Sequence, residues 1–142
     1  MTQRLGLKPQ EDEYILMGMA GWGTQDHKLK NSIREDFFND SDKPIDLKDN
    51  LHRGCLDWNP EYFPDDDSDD WKFNIAANVQ WICEEEIRKV FSLAKRLVPE
   101  TDNCVYMGGV ALNCVANSII AQRYYPKLWI MPNPGDADNK VL

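Results

Sequence analysis

The stretch that decides the fold is residues 104–131, which read CVYMGGVALNCVANSIIAQRYYPKLWIM. An apolar run at 104–107 stops at two glycines, and a helical pattern at about 112–125 stops at Pro126. A second apolar run follows at 127–131. A strand, a helix and a strand in this order predict a βαβ unit, in which the two strands are parallel and a helix covers the sheet.

A longer helix is predicted just before this unit. Apolar side chains recur at helical spacing from Ile75 to Leu97, between Trp71 and about Val98, and Pro99 ends the pattern. With it, residues 71–142 form a predicted helix-strand-helix-strand core. The fold class is therefore α/β.

The part of the chain before this core has a different composition. Residues 35–70 contain thirteen Asp or Glu and only three Lys or Arg, which is typical of a solvated surface segment. We predict an acidic, variable connection over residues 24–70, with short strands at most near 55–58 and 61–63. Residues 1–142 are short for two domains and predict a single domain.

Charge and hydropathy exclude several classes of protein. The formal net charge is −8, which argues against nucleic-acid binding and against docking on anionic membranes. No apolar run is long enough to span a bilayer, and the first residues do not resemble a signal peptide. We therefore expect a cytoplasmic protein. Its four widely spaced cysteines predict buried free thiols rather than a zinc site or disulfides.

Two loops leave the carboxyl ends of the predicted strands, where open α/β sheets bind ligands. The first contains Gly108 and Gly109, which allow close approach to the backbone, and it leads into a helix whose free N–H groups favour an anion. Asn113 and Asn117 are one helical turn apart, so their amides are candidates to face one ligand. A tight turn without any ligand explains this loop equally well.

The second loop carries Asp136 beside Gly135. A carboxylate at a strand end is well placed to hold a divalent metal or its water. An Asx turn or a helix cap is the alternative explanation, and for this loop taken alone it is the more economical one.

Together, four segments resemble the NodU/CmcH-type carbamoyltransferase family. They are GGVALNCVAN at 108–117, LWIMPNPGDA at 128–137, EYILMGMAGWG at 13–23 and NIAANVQ at 74–80. Their shared order makes the resemblance more specific than any one of them. It implies a partial domain of the actin, Hsp70 and sugar-kinase superfamily (ribonuclease H-like), with flanking helices around the βαβ unit.

The resemblance also implies a reaction. The family moves a carbamoyl group from carbamoyl phosphate, through a carbamoyl-adenylate, to a hydroxyl of a small acceptor, using ATP and a divalent metal such as iron or magnesium. By position, the segment at 108–113 matches the nucleotide loop, with Gly108, Gly109, Val110 and Asn113 as its site residues. Glu13 matches a glutamate near the nucleotide, and Asp136 matches the metal-binding aspartate.

The chain also departs from that family. This chain lacks the family's His-x-x-x-His motif. Its only two histidines are His27 and His52, and we expect them at the surface or one layer removed from a site. Residues 1–142 also contain no segment that resembles the N-terminal half of the fold or the adenylate-forming domain. We therefore expect an enzyme fragment or a split subunit that needs an N-terminal half, and that is incomplete alone.

Two other interpretations stay open. A non-catalytic, truncated module of the same fold would bind nucleotide or self-associate through the surface that met its other half. A sugar kinase or a tRNA threonylcarbamoyl transferase would share the glycine turn. The net charge of −8 disfavours a tRNA substrate.

Overall fold

The computed structural model describes residues 1–51 and 68–132. The described chain is a mixed α/β protein that divides into two compact units, Met1–Glu84 and Glu85–Leu142. Its helices and strands, in chain order, are α1 (Glu13–Met19), α2 (His27–Phe37), α3 (Asp69–Leu97), β1 (Asn103–Tyr106), α4 (Cys114–Arg123) and β2 (Lys127–Ile130). No helix within the described ranges is long and apolar enough to cross a membrane.

Helix α3 confirms the long helix that the apolar spacing predicted, and it starts two residues earlier than expected. Asp69 and Asp70 lie in its first turn, and Lys95 and Arg96 lie in its last. Both pairs complement the helix dipole. The boundary between the two compact units falls inside this helix.

The first unit is built on a core shared by three helices. Leu16 of α1, Ile33 and Phe37 of α2, and Ile75 and Ile82 of α3 are all buried in one cluster. Helix α2 was not predicted, and it lies within the segment interpreted as an acidic connection. Its apolar residues follow a four-residue spacing that places them on one face.

A close backbone contact joins the turn after α1 to α3. A Cβ atom built on Gly23 would lie 1.9 Å from the carbonyl oxygen of Phe73, so only glycine fits there. The side-chain oxygen of Asn74 accepts a hydrogen bond from the backbone N–H of Thr24 at 2.7 Å. Asn78, fully buried, accepts the N–H of Asp26 at 3.0 Å and donates to the carbonyl of Thr24 at 3.1 Å.

Part of the acidic connection is ordered by its own side chains. Phe38 and Leu47 form an isolated antiparallel bridge. Asp46 accepts hydrogen bonds from Ser41 and Asn39 at 2.7 and 2.9 Å, and these two bonds, Ser41 first, lower the pKa of its carboxyl group. The strands expected at 55–58 and 61–63 lie outside the described residues.

The second unit contains the predicted βαβ arrangement. Strands β1 and β2 are parallel, with Val105 opposite Trp129 and Tyr106 opposite Ile130. Phe91 of α3 packs edge-to-face against Tyr106, with ring centroids 5.2 Å apart. The helical layer therefore covers the face of the sheet that carries Tyr106.

The opposite face of the sheet is open. Val105 is 66% exposed and Trp129 is 60% exposed. Met107 and Met131, which follow these two residues by two positions in the sequence, are also exposed. Parallel sheets are normally covered on both faces. We call these four side chains the open apolar face.

Candidate functional site

The turn between β1 and α4 is the predicted ligand loop, and we call residues 108–113 the glycine turn. Gly108 has φ +99°, a backbone conformation that side-chain-bearing residues rarely adopt. A short 3-10 helix follows at Gly109–Leu112, closed by a bond from the N–H of Ala111 to the carbonyl of Gly108 at 2.9 Å. The sequence pattern predicts that helix α4 starts at about Leu112. In the structure it starts at Cys114.

The side chains of Asn113 and Asn117 both form hydrogen bonds within or next to this turn. Asn113 is the N-cap of α4, where its side-chain oxygen accepts the N–H of Ala116 at 3.0 Å. Asn117 is buried, and its Nδ2 donates to the carbonyl of Ala111 at 2.7 Å. The prediction that both amides face one ligand stays untested, but each amide also shapes the turn.

The outer side of the glycine turn is accessible. Gly109 and Val110 are exposed, and Gly108 and Asn113 are half-buried. A turn that combines a positive φ, a helix N-terminus and an open outer surface has the geometry that small anionic ligands use.

Glu13 does not belong to the same compact unit as the glycine turn. It is the first residue of α1, is exposed, and accepts the backbone N–H of Gln10 at 2.6 Å. Glu13 lies in the first unit and the glycine turn in the second, and its predicted place near a nucleotide remains untested.

The predicted metal centre is not assembled by the described residues. Asp136 and His52 lie outside them, and His27 stacks edge-to-face on Trp81, with ring centroids 4.8 Å apart. Within residues 1–51 and 68–132, no three His, Cys, Asp or Glu side chains come together as a metal-binding group. The prediction that Asp136 holds a metal is therefore not tested by the described residues.

The cysteines fit the prediction of buried thiols only in part. Cys83 and Cys104 are partly buried, and burial raises the pKa of both thiols. Cys114, the first residue of α4, is exposed, so the prediction was wrong there. None of these three forms a disulfide with another described cysteine, and Cys55 lies outside the described residues.

Sequence reasoning missed the role of Asn74 and Asn78. Two asparagines one helical turn apart, in an otherwise apolar stretch of α3, are a signal for buried hydrogen bonding, since an unpaired buried amide is costly. They were noted only as part of a family segment. In the structure they hold the backbone of the turn at Thr24 and Asp26.

Comparison with known protein families identifies the family of this chain. A model of the carbamoyltransferase N-terminus matches residues 1–141. The chain belongs to the carbamoyltransferase N-terminus family.

One curated relative is similar along nearly the whole chain. It is the uncharacterized protein sll1178 of Synechocystis sp. (strain ATCC 27184 / PCC 6803 / Kazusa), 28% identical over 166 residues that cover 99% of this chain. The match covers 25% of that relative. This member of the carbamoyltransferase N-terminus family therefore spans about a quarter of the length of its curated relative.

Proposed function

We propose that this chain forms the adenine-nucleotide-binding part of a carbamoyltransferase. The observation that carries the proposal is the family match over residues 1–141, which includes a glycine turn that follows a parallel strand and leads into a helix. The NodU/CmcH-type family and the actin-like fold are the subtype and fold that we propose, with the chain in the C-terminal part of that nucleotide-binding domain.

The proposed reaction has three substrates, which are carbamoyl phosphate, ATP and a small hydroxyl-bearing acceptor, and it passes through an adenylate intermediate. Water first releases inorganic phosphate from carbamoyl phosphate and leaves carbamate. An oxygen of the carbamate then attacks the α-phosphorus of ATP, pyrophosphate leaves, and carbamoyl-adenylate forms. A hydroxyl of a small acceptor then attacks the carbamoyl carbon. AMP leaves with the electron pair of the broken acyl–oxygen bond, and the acceptor loses its hydroxyl proton. Positioning of the hydroxyl supplies much of the rate, because the activated anhydride needs no enzyme nucleophile.

The geometry of the glycine turn supports the nucleotide assignment. Gly108 holds a positive φ, and exposed Gly109 and Val110 leave the backbone accessible. Asn113, which caps α4, lies at the point where the helix dipole favours negative charge. A divalent metal, iron or magnesium, held in part by Asp136, belongs to the same proposal.

The chain is also proposed to need a further polypeptide for catalysis. It spans about a quarter of the curated relative described above. The open apolar face of the second unit also exposes four apolar side chains on one side of a parallel sheet, whereas parallel sheets are normally covered on both sides. An N-terminal half of the same enzyme family is the partner we propose. A non-catalytic module that self-associates through this face is the second candidate, favoured by the same exposed side chains.

Calorimetric titration of ATP and magnesium into the purified chain tests the nucleotide assignment. The informative variants are Asn113→Ser, which keeps a capping oxygen but loses the amide, and Asp136→Ala. We expect the wild-type chain to bind ATP. We expect Asn113→Ser to bind ATP more weakly, because this variant lacks the amide that is proposed to contact the ligand. We expect Asp136→Ala to remove the dependence on magnesium.

The controls separate folding from binding. Far-UV circular dichroism establishes that each variant keeps its helices before it is titrated. A folded wild-type chain that produces no binding heat with ATP, with or without magnesium, contradicts the assignment and favours the non-catalytic module.

A further inference from the structure

The side chain of Asn117 has one half of its hydrogen-bonding capacity unused. Only 8% of this residue is exposed, and it lies in the first turns of α4. Its Nδ2 donates to the carbonyl oxygen of Ala111 at 2.7 Å. Its Oδ1, on the same carboxamide, is buried and has no hydrogen-bond partner among residues 1–51 and 68–132.

An acceptor in this state is energetically unfavourable. Burying a carbonyl oxygen removes it from water, and without a donor nothing compensates for that loss. Asparagine is also a weaker helix former than leucine, which has a similar size. The hydrogen bond to Ala111 explains why residue 117 needs the Nδ2 donor. It does not explain why the side chain also carries the buried acceptor Oδ1.

The location of Asn117 connects the unused acceptor to the glycine turn. Ala111 is the third residue of the 3-10 helix Gly109–Leu112, so the carboxamide lies directly against this helix. Val110 and Leu112 on the same helix are 53% and 60% exposed. Both side chains of this outer part of the turn are therefore only loosely packed.

We propose that Oδ1 of Asn117 accepts a hydrogen bond from the ligand of the glycine turn, and that the ligand group at this point is a neutral N–H or O–H donor. The inference rests on the proposed function and names which part of the substrates meets the turn. Ionised phosphate oxygens are acceptors only, so Oδ1 selects against them at this position.

Two parts of the proposed substrates have the required chemistry. One is adenosine, with its amino and hydroxyl groups, and the other is the –NH2 of the carbamoyl group. The probes that separate them are adenosine, freshly prepared carbamoyl phosphate and inorganic phosphate. Each is titrated separately into the isotopically labelled wild-type chain.

The first readout is the side-chain amide signal of Asn117 in NMR spectra. We expect it to move with adenosine or with carbamoyl phosphate, whichever supplies the donor, and to stay in place with inorganic phosphate. The side-chain amide of Asn78 is the control, because it is fully buried and both of its polar atoms already have partners. Its signal should not move with any probe.

The second readout is the affinity of two variants. Asn117→Leu and Asn117→Asp both lose the donor to Ala111, but only the aspartate keeps an acceptor oxygen. For the probe that moves the Asn117 signal, we expect Asn117→Leu to bind about tenfold more weakly, as the loss of one well-formed hydrogen bond to a ligand predicts. Asn117→Asp should bind more tightly than Asn117→Leu.

The outcomes distinguish the two proposals. Binding of adenosine or carbamoyl phosphate with an unmoved Asn117 signal and equal affinities of both variants overturns the role of Asn117 and leaves the proposed function intact. A movement caused equally by inorganic phosphate also overturns it. A folded wild-type chain that binds ATP with magnesium but none of the three probes overturns the role of Asn117 alone. A folded wild-type chain that binds neither ATP with magnesium nor any of the probes overturns both.

Discussion

At the residue scale, the tightest constraint in the described chain is the contact between Gly23 and α3. The carbonyl group of Phe73 and the N–H of Asn74 occupy the space where a side chain on residue 23 would begin. A helix backbone cannot move away from such a clash without losing its own hydrogen bonds. Asn74 and Asn78 add hydrogen bonds to the residues that follow Gly23.

Gly23→Ala is therefore expected to destabilise the protein by roughly 3 kcal/mol or more, because the added Cβ overlaps the Phe73 carbonyl. Urea denaturation followed by circular dichroism measures the loss. Gly18→Ala is the matched control, since a Cβ on Gly18 meets nothing within 4 Å. In helix α1 that change should stabilise by about 0.5–1 kcal/mol. Equal stability of the two variants would contradict the contact.

At the element scale, the start of α4 depends on one side chain. Asn113 accepts the N–H of Ala116, which is one of the helix donors that has no partner within the helix. The cap therefore has a structural role whether or not a nucleotide binds. A variant that removes it tests helix stability and ligand contact at the same time.

Asn113→Ala should cost about 1 kcal/mol of folding stability in the absence of any ligand, because the cap oxygen is lost. Asn113→Ser should cost only a few tenths of a kcal/mol, since serine is an equally good cap. Thermal unfolding of both variants measures the difference. If serine destabilised the protein as much as alanine, the amide group rather than the cap oxygen would be the stabilising feature.

Elements with strong periodicity could be predicted from the sequence, and weaker ones could not. The apolar spacing predicted α3 to within two residues at its start, and the βαβ order was confirmed. Helix α2 was missed because charged residues surround its few apolar ones, Leu29, Ile33 and Phe37. The 3-10 helix Gly109–Leu112 was predicted as part of a loop, with α4 beginning at Leu112, because the paired glycines interrupt the helical pattern.

The candidate site was only partly accessible to sequence reasoning. Paired glycines at 108 and 109 indicated a turn that needs unusual backbone angles, and Gly108 has them. The hydrogen bonds of Asn113 and Asn117 depend on how the turn packs, which spacing alone does not define. An asparagine just before a helix is itself a cap signal, and it was interpreted only as a ligand group.

At the scale of the whole molecule, the open apolar face is the strongest candidate for association. Trp129 is 60% exposed and pairs in register with Val105. A contiguous apolar surface of this kind favours contact with another polypeptide. The chain's charge of −8 opposes close approach of two copies, most strongly at low salt.

We expect the purified chain to self-associate at micromolar concentration, more strongly as salt rises, and Trp129→Thr to weaken this association. Light scattering coupled to gel filtration measures both effects. Trp22→Thr is the control, because Trp22 is 82% exposed but lies in the first unit, outside the open apolar face. A monomeric wild-type chain at high salt, or equal effects of the two substitutions, would contradict the role of this face.

Helix α3 has a consequence for how this protein can change over evolution. The border between the two compact units falls between Glu84 and Glu85, inside the continuous helix Asp69–Leu97. Recombination at that border would join two foreign half-helices, and each parent's apolar stripe would have to match a new partner. The two units are therefore expected to be inherited together rather than shuffled between genes.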